Sequence, residues 1–320
     1  MRVLVTGASG FVGRAACTHL EELGHELVRF VGPKRSSDAA SFSVDVADAT
    51  TFPDPGSVSP LDAVVHCAGI AHRFGPVSKE EFDRVNVAGV ENVVLYAKQT
   101  GARKFVLLSS VLVYGTPRNS EPITENFAET PDDDYGLSKL SGERIAVTMC
   151  EAASIKLAIL RPAPILGEGS HGNVARLVRA IDRGRFVWIG DGLNRRSFVY
   201  VGDVIRAISE VIHQNNDDVS VFNIVGGTLS VAQLVGFIEQ RLGRRPPKVG
   251  LPTWATQAFY HASRVGSRIP AVSRYRRTLA AWLADAVYSG DKIEHDLGFV
   301  PQTTIEEAIG RDVDHYLKTK

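Results

Sequence analysis

The stretch Thr6-Gly7-Ala8-Ser9-Gly10-Phe11-Val12-Gly13 follows the apolar run 3–5 and opens a helical pattern that extends to about Leu23. A glycine-rich turn between a strand and a helix is typical of a fold that holds the pyrophosphate of a dinucleotide. Gly7 allows the tight turn, Gly10 lets the backbone approach the anion, and Gly13 lets the helix pack close to the strand. The amides at the start of the helix also face the anion. The stretch therefore predicts a dinucleotide-binding fold.

Strand and helix patterns alternate along the first half of the chain. Apolar runs that predict strands occupy 27–31, 63–66, 105–108 and 157–160, and helical patterns occupy about 78–99 and 135–152. Uninterrupted apolar strands separated by helices indicate a parallel sheet covered on both faces. We therefore expect an α/β protein with a Rossmann doubly wound parallel sheet and a smaller α/β C-terminal substrate lobe. The Rossmann domain is expected over 1–165, with 194–226 returning to it, and the lobe over 166–193 and 227–320.

The composition is that of an ordinary globular protein. Hydrophobic residues make up 44% and charged residues 22% of the 320 positions, and 36 basic residues balance 36 acidic ones. A nucleic-acid-binding protein would show a basic excess, so nucleic acid is not expected as a partner. No apolar run approaches the roughly 20 residues of a membrane span, and the N-terminus shows no signal-peptide pattern. Three scattered cysteines point to a reducing compartment, so we expect a cytoplasmic protein without a bound metal.

Tyr135 and Lys139 lie four residues apart in a helical pattern, so their side chains share one helix face. A phenol beside an ammonium group can act as a proton-transfer device. The reference pKa of tyrosine, about 10, is too high for a base at neutral pH, and a nearby positive charge lowers it. We therefore expect an acid–base role for Tyr135, with its pKa held down by Lys139. A surface helix with an accidental Tyr/Lys spacing is the alternative.

The end of the second predicted strand bears on the choice of dinucleotide. NAD-binding folds place an acidic residue there for the ribose 2′-hydroxyl, whereas this chain continues Arg29-Phe30-Val31-Gly32-Pro33-Lys34-Arg35. A basic residue such as Arg35 would meet a 2′-phosphate, so the sequence favours NADP over NAD. A solvated basic loop is the alternative and leaves the choice open. Asp45, which ends a later short strand, is either an adenine contact or a turn residue.

Several motifs together resemble the extended short-chain dehydrogenase/reductase family, whose members act mostly on nucleotide sugars. The motifs are the glycine-rich turn 6–13, His66-Cys67-Ala68-Gly69, Leu108-Ser109-Ser110-Val111-Leu112-Val113-Tyr114-Gly115, the Tyr135/Lys139 pair, 195–203, and the late segment 291–301. The likeness covers nearly the whole chain.

The resemblance implies a role for each matching residue. Tyr135 would exchange a proton with a sugar hydroxyl, Ser110 rather than Ser109 would hydrogen-bond the same oxygen, and Lys139 would bind the nicotinamide ribose. The residues expected at the cofactor are Gly7, Ser9, Gly10, Phe11, Val12, Gly13, Arg35, Asp45, Val46, Cys67, Ala68, Gly69, Asn86, Tyr135, Lys139 and Pro162.

The same likeness bears on the reaction. Family dehydratases carry an Asp-Glu pair directly after the catalytic hydroxyl, but this chain has Val111 and Leu112, which cannot transfer protons. Two reactions therefore remain: a 4-epimerase of the UDP-hexose type, and an NADPH-dependent reductase of a nucleotide-4-ketosugar. A non-catalytic NADP-binding sensor is a third hypothesis, and the intact Ser110, Tyr135 and Lys139 argue against it.

The resemblance also implies two partners, a nucleotide-sugar substrate and a second copy of the chain. Arg196 would pair with the substrate's diphosphate, with a plain surface charge as the alternative, and Asn173 would reach the phosphates or the base. A homodimer would form through the helices at 85–99 and 135–152. The basic segment 254–282 is interpreted as lobe helices with a solvated face, and contact with a membrane surface is the alternative.

Overall fold

A computed structural model describes residues 1–33, 41–71, 77–116, 121–214, 218–244, 250–251 and 284–320. Its central feature is a seven-stranded sheet in which every neighbouring pair of strands is parallel. In spatial order the strands are Val219–Ile224 (β10), Lys156–Pro162 (β6), Lys104–Leu108 (β5), Ala63–His66 (β4), Arg2–Thr6 (β1), Glu26–Val31 (β2) and Ser41–Ser43 (β3). The predicted Rossmann doubly wound parallel sheet is thus confirmed.

The remaining strands form two small sheets. One contains β7 (Ile165–Leu166), β9 (Arg195–Tyr200) and β11 (Gly227–Ser230), and the other pairs β8 (Trp188–Ile189) with β12 (Gly250–Leu251). The helices are α1 (Phe11–Glu22), α2 (Pro55–Val58), α3 (Lys79–Phe82), α4 (Gly89–Gln99), α5 (Asp134–Ala153), α6 (Asn173–Asp182), α7 (Val201–His213), α8 (Val231–Leu242), α9 (Asp291–Leu297) and α10 (Ile305–Thr319). Short 3₁₀ turns occupy Ala49–Thr51 and Val111–Tyr114, and a wider π-type turn over Asp83–Ala88 joins α3 to α4.

Both faces of the large sheet are covered by helices. Val3 and Val5 of β1 pack in a core with α1 and α7, whereas Leu4 packs in a core with α4 and α5. All three side chains are fully buried. Because successive strand residues point to opposite faces, a strand covered on both faces must be apolar throughout, as its sequence is. The carboxyl ends of β1, β4, β5 and β6 then meet at one edge, where such sheets bind ligands.

The C-terminal part adds a second core on the three-stranded sheet. Leu177 of α6, Ile238 of α8 and Ile309 of α10 pack together against that sheet. Within the same part of the sequence, Ile293 of α9 and Phe299 lie in the core of the large sheet. The boundaries proposed for the two domains stay a prediction.

Two features of the sequence fall outside the described residues. They are Arg35, proposed at the cofactor, and the basic segment 254–282, proposed either as lobe helices or as a membrane contact. No helix within the described ranges is long and apolar enough to cross a membrane. The cytoplasmic location and the membrane contact stay predictions.

Candidate active site

The glycine-rich turn sits where β1 enters α1, against the end of β4. Gly7 has a φ of +66°, and a Cβ there would lie 2.7 Å from the backbone nitrogen of Ala68. A Cβ on Gly13 would lie 2.1 Å from the carbonyl oxygen of Gly7. Gly10 precedes α1 and offers no side chain to the first amides of the helix, so these amides are open to an anion. The turn therefore fits the pyrophosphate of a dinucleotide.

Asn86 fixes the loop that follows β4. The amide side chain is 2% exposed and accepts a hydrogen bond from the Ile70 nitrogen at 2.8 Å. It donates to the Ile70 carbonyl at 3.0 Å and to the Ser138 hydroxyl at 2.9 Å. A Cβ on Gly69 would lie 3.2 Å from Asn86 Oδ1 and 3.7 Å from Lys139 Nζ. Asn86 is therefore a buried residue that holds this loop in place, and the loop, Asn86 and Lys139 lie together.

Ser110 and Tyr135 meet in front of the sheet edge. The Ser110 hydroxyl lies beside the phenol of Tyr135 and acts to lower its pKa. The centroid of the Tyr135 ring lies 5.9 Å from that of the Phe82 ring. Asp133 caps α5 by accepting a hydrogen bond from Gly136 at 2.6 Å, which fixes the first turn of the helix and Tyr135 with it. Lys139 Nζ, one turn further on, donates to the Leu108 carbonyl at the end of β5 at 2.6 Å.

The charge state of the pair differs from the one that its spacing predicts. Burial raises the pKa of Tyr135 to about 12; the hydrogen bond with Ser110 opposes this rise and the Asp133 carboxylate adds to it. Burial lowers the pKa of Lys139 to about 8, against the carboxylate of Glu143. The prediction of a lowered phenol pKa is therefore wrong, because the loss of hydration on burial outweighs the opposing effect of the Ser110 hydroxyl.

The two adjacent serines point to different partners. Ser110 faces Tyr135 and also accepts a hydrogen bond from the Leu112 nitrogen at 3.2 Å. The hydroxyl of Ser109 instead donates to the carboxylate of Glu143, which also binds Arg161. This geometry supports the choice of Ser110 over Ser109. It also reveals the pairing of Glu143 with Arg161, which the motifs did not predict. The available signal was that Glu143 falls one helical turn after Lys139, on the same face of α5.

Residues proposed for the adenosine half of the cofactor are engaged elsewhere. The Asp45 carboxylate accepts hydrogen bonds from Arg84 at 2.8 Å and from the Ala47 nitrogen at 3.1 Å, as a turn residue does. Val46 is 7% exposed and belongs to the core beneath α4. Arg29, within β2, forms an ion pair with Glu21. Contact of Asp45 and Val46 with a cofactor stays a prediction.

The candidate substrate residues lie on elements of the C-terminal part. Arg196 is a half-buried residue of β9 whose pKa is lowered by burial, which Tyr288 and Asp285 oppose. Asn173 is exposed at the first position of α6. Pro162 is buried at the end of β6 and pairs with Ile224 of β10. Across the described ranges, no cluster of three or more His, Cys, Asp or Glu side chains could hold a metal ion.

Known proteins resemble the chain over its full length. It is 28% identical over 324 residues to the N-acetyl-alpha-D-glucosaminyl-diphospho-ditrans,octacis-undecaprenol 4-epimerase of Escherichia coli O157:H7, across 98% of this chain and 94% of that protein. It is 27% identical to the UDP-glucose 4-epimerase of Vibrio cholerae, across 99% and 95% of the two chains.

Solved structures share the fold. MoeE5 in complex with UDP-glucose and NAD matches with a TM-score of 0.78 and 23% identity, covering 100% of this chain and 99% of that one. The UDP-glucose 4-epimerase of Thermotoga maritima with UDP-glucose gives the same TM-score, identity and coverage. The model of the NAD dependent epimerase/dehydratase family matches residues 3–225. The chain therefore belongs to the NAD dependent epimerase/dehydratase family, as its motifs predict.

Proposed function

We propose that the chain is an NAD(P)-dependent 4-epimerase that moves hydride at C4 of a hexose carried on a diphosphate, of the UDP-glucose type. The observation that carries the proposal is the juxtaposition of Ser110 and Tyr135 beside Lys139, at the edge where the strands and the glycine-rich turn meet. The named functions of the relatives support it, because both are 4-epimerases of diphosphate-linked sugars.

The residues of the site divide the work between proton transfer and orientation. A bound nicotinamide supplies the hydride acceptor and donor. Tyr135, neutral at pH 7 with a pKa of about 12, is in the form that donates a proton to a keto oxygen. Ser110 hydrogen-bonds the same oxygen and orients it. Lys139, with a pKa of about 8, is charged at pH 7. Its charge stabilises the phenolate, which is the form of Tyr135 that takes a proton from a hydroxyl.

The residues that follow Ser110 argue against loss of water from the sugar. Val111 is 1% exposed, and Leu112 uses its backbone nitrogen to bind the Ser110 hydroxyl. Neither side chain can act as an acid or a base. Among the described residues of the site, Tyr135 is therefore the proposed proton-transfer centre, and hydride exchange at a single carbinol requires one such centre.

A ketosugar reductase is the second candidate. The residues after β2 favour it, because Gly32 and Pro33 occupy the place of the acidic residue that would bind the ribose 2′-hydroxyl of NAD. We therefore still infer a preference for NADP, the cofactor that such a reductase would consume in its reduced form. The ion pair of Arg29 with Glu21 removes one cation from those available to a 2′-phosphate. The Ser110–Tyr135 contact argues against a non-catalytic sensor, because a sensor needs no such contact.

We infer two partners from the surface. Arg196 would bind the diphosphate of the substrate, since a planar guanidinium forms two parallel bonds to phosphate oxygens. Leu95 of α4 and Leu137 of α5 are 45% and 40% exposed, which suits burial of these helices in a homodimer. Light scattering of the purified protein tests the dimer, and a monomer would exclude it.

Mass spectrometry of the cofactor that copurifies with the protein, followed by turnover assays, separates the candidates. An epimerase should carry bound dinucleotide and interconvert UDP-glucose and UDP-galactose, or the matching N-acetyl sugars, without consuming added cofactor. A reductase should oxidise NADPH in proportion to a 4-ketosugar. Parallel assays with a polyprenyl-diphosphate sugar identify the carrier. Binding of dinucleotide without turnover of any of these would support the sensor and exclude the proposal.

A further inference from the structure

A closed polar cluster lies behind the Tyr135–Lys139 face of α5. Glu143 and Arg161 are each 2% exposed. Arg161 donates from Nε to Glu143 Oε1 at 3.0 Å and from Nη2 to Oε2 at 2.6 Å. Ser109 donates its hydroxyl hydrogen to Oε1 of the same carboxylate. Both carboxylate oxygens are therefore held in one orientation, as in other bidentate arginine pairs.

The guanidinium of Arg161 is held from its far side as well. Its Nη1 donates to the Tyr114 hydroxyl at 2.9 Å, and that hydroxyl donates to Asn223 Oδ1 at 2.9 Å. Its Nη2 also donates to the carboxylate of Glu129 at 2.7 Å. The planar group therefore cannot rotate without breaking contacts to three other elements. Two carboxylates against one guanidinium leave a surplus negative charge in the cluster.

Of the two carboxylates in the cluster, that of Glu143 acts on Lys139. Glu143 follows Lys139 by four residues on α5, which places the two side chains on one helix face. Lys139 binds the Leu108 carbonyl and Glu143 binds the Ser109 hydroxyl. The two side chains thus hydrogen-bond to consecutive residues at the end of β5, directly before Ser110. The Glu143 carboxylate also raises the pKa of Lys139 against the effect of burial.

We propose that Glu143 is a positioning residue for the Ser110–Tyr135–Lys139 site, in which it anchors the end of β5 and supplies the buried negative charge that the Lys139 ammonium faces. The catalytic consequence rests on the proposed function, whereas the effect on Lys139 does not. A buried ion pair with a purely structural role tolerates replacement by uncharged residues of similar volume. A positioning role requires the charge itself.

Among the described residues, the other titratable groups beside Lys139 carry no charge at neutral pH. Burial lowers the pKa of His66, at the end of β4, to about 3. Burial raises the pKa of Cys67, the next residue, to about 12, and that of Tyr135 on the same helix to about 12. Within the described part of the chain, Glu143 is thus the charged group that acts on Lys139.

The test replaces Glu143 by glutamine and measures the titration of Lys139 directly. Protein labelled with ¹³C at lysine Cε is titrated by NMR, with the Lys139 signal assigned through its loss in Lys139→Met. We expect the pKa of Lys139 to fall by about one unit or more in Glu143→Gln, because a neighbouring opposite charge shifts a pKa by about 1–3 units. The alkaline limb of the kcat/KM profile should move to lower pH by the same amount.

Two further variants separate charge from packing. Glu129→Gln removes the other carboxylate from Arg161 but none that faces Lys139, so the pKa of Lys139 should stay within about 0.3 units of wild type. The double variant Glu143→Gln with Arg161→Gln leaves no unpaired buried cation, protects the fold, and should still lower the pKa of Lys139.

An unchanged pKa in both Glu143 variants, or an equal fall in Glu129→Gln, would overturn the inference. A fall confined to the Glu143 variants in a protein that turns over no sugar would leave the inference standing and remove the proposed function.

Discussion

Asp312 of α10 provides a sharp test of the packing between α10 and the loop after β7. Its carboxyl group is 7% exposed, and Oδ1 accepts a hydrogen bond from the Gly167 nitrogen at 3.2 Å. Oδ2 is buried and has no hydrogen-bond partner among the described residues. Burial raises the pKa of Asp312 to about 7; the Gly167 amide opposes this rise and the neighbouring Glu168 adds to it. Asp312→Asn keeps the shape of the side chain and removes the titration.

The sign and size of the effect follow from this shift. The folded-state pKa lies above the unfolded value of 3.8, so the fold binds the proton more tightly than the unfolded chain does. The stabilisation is fully present below pH 4 and is lost as the pH rises to 7. About three units at about 1.4 kcal/mol each give a loss of up to about 4 kcal/mol. An asparagine contributes no such loss, although its amide hydrogens incur a pH-independent cost of about 1–3 kcal/mol.

Urea unfolding at pH 5, 6, 7 and 8 measures the difference in the free energy of unfolding between wild type and Asp312→Asn. Wild type should lose about 2 kcal/mol relative to the variant between pH 5 and 7, and little more above pH 7.5. Asp314→Asn is the matched control, because the hydrogen bond and the charge of Arg241 hold the pKa of that carboxyl below its ordinary value. Its difference from wild type should be flat above pH 5. Parallel curves for wild type and Asp312→Asn would refute the reasoning.

Two further predictions concern the glycine-rich turn and the serine pair. Gly13→Ala should destabilise the protein by about 1–3 kcal/mol and weaken dinucleotide binding in a calorimetric titration, since its Cβ would lie 2.1 Å from the Gly7 oxygen. Gly236→Ala is the control, because no atom lies within 4 Å of its Cβ. It should leave stability and dinucleotide binding unchanged, or raise stability by about 0.5–1 kcal/mol. Ser110→Ala should lower kcat by about 100-fold, whereas Ser109→Ala should mainly lower the melting temperature. A larger loss of kcat in Ser109→Ala than in Ser110→Ala would contradict the choice of Ser110. Wild-type dinucleotide affinity in Gly13→Ala would contradict the role of the glycine-rich turn.

Local patterns were sufficient to predict the large sheet and the glycine-rich turn between β1 and α1. The apolar run at 3–5 identifies a strand covered on both faces, and Gly13 identifies close packing of α1 on that strand. The acidic residues before Tyr135 identify the start of α5, where Asp133 is the N-cap. Each of these signals depends on residues close together in the chain, so no long-range information is needed.

Other parts of the site depend on contacts that no local pattern reports. Glu143 and Arg161 are 18 positions apart on a helix and a strand, and only the packing of α5 on β6 joins them. The π-type turn that turns Asn86 inward is not visible in the helical pattern of that segment. The pKa of Tyr135 was predicted in the wrong direction, because spacing reveals the neighbouring cation but not the loss of hydration.

The central claim is that the phenol of Tyr135 carries the proton that is exchanged at C4 of the sugar. The most direct measurement compares turnover of UDP-glucose by wild type and by Tyr135→Phe, with both proteins loaded with the same dinucleotide. We expect Tyr135→Phe to lose about 10²–10⁴-fold in kcat, with dinucleotide affinity and melting temperature close to those of wild type. A variant that turns over the sugar at the wild-type rate would contradict the claim.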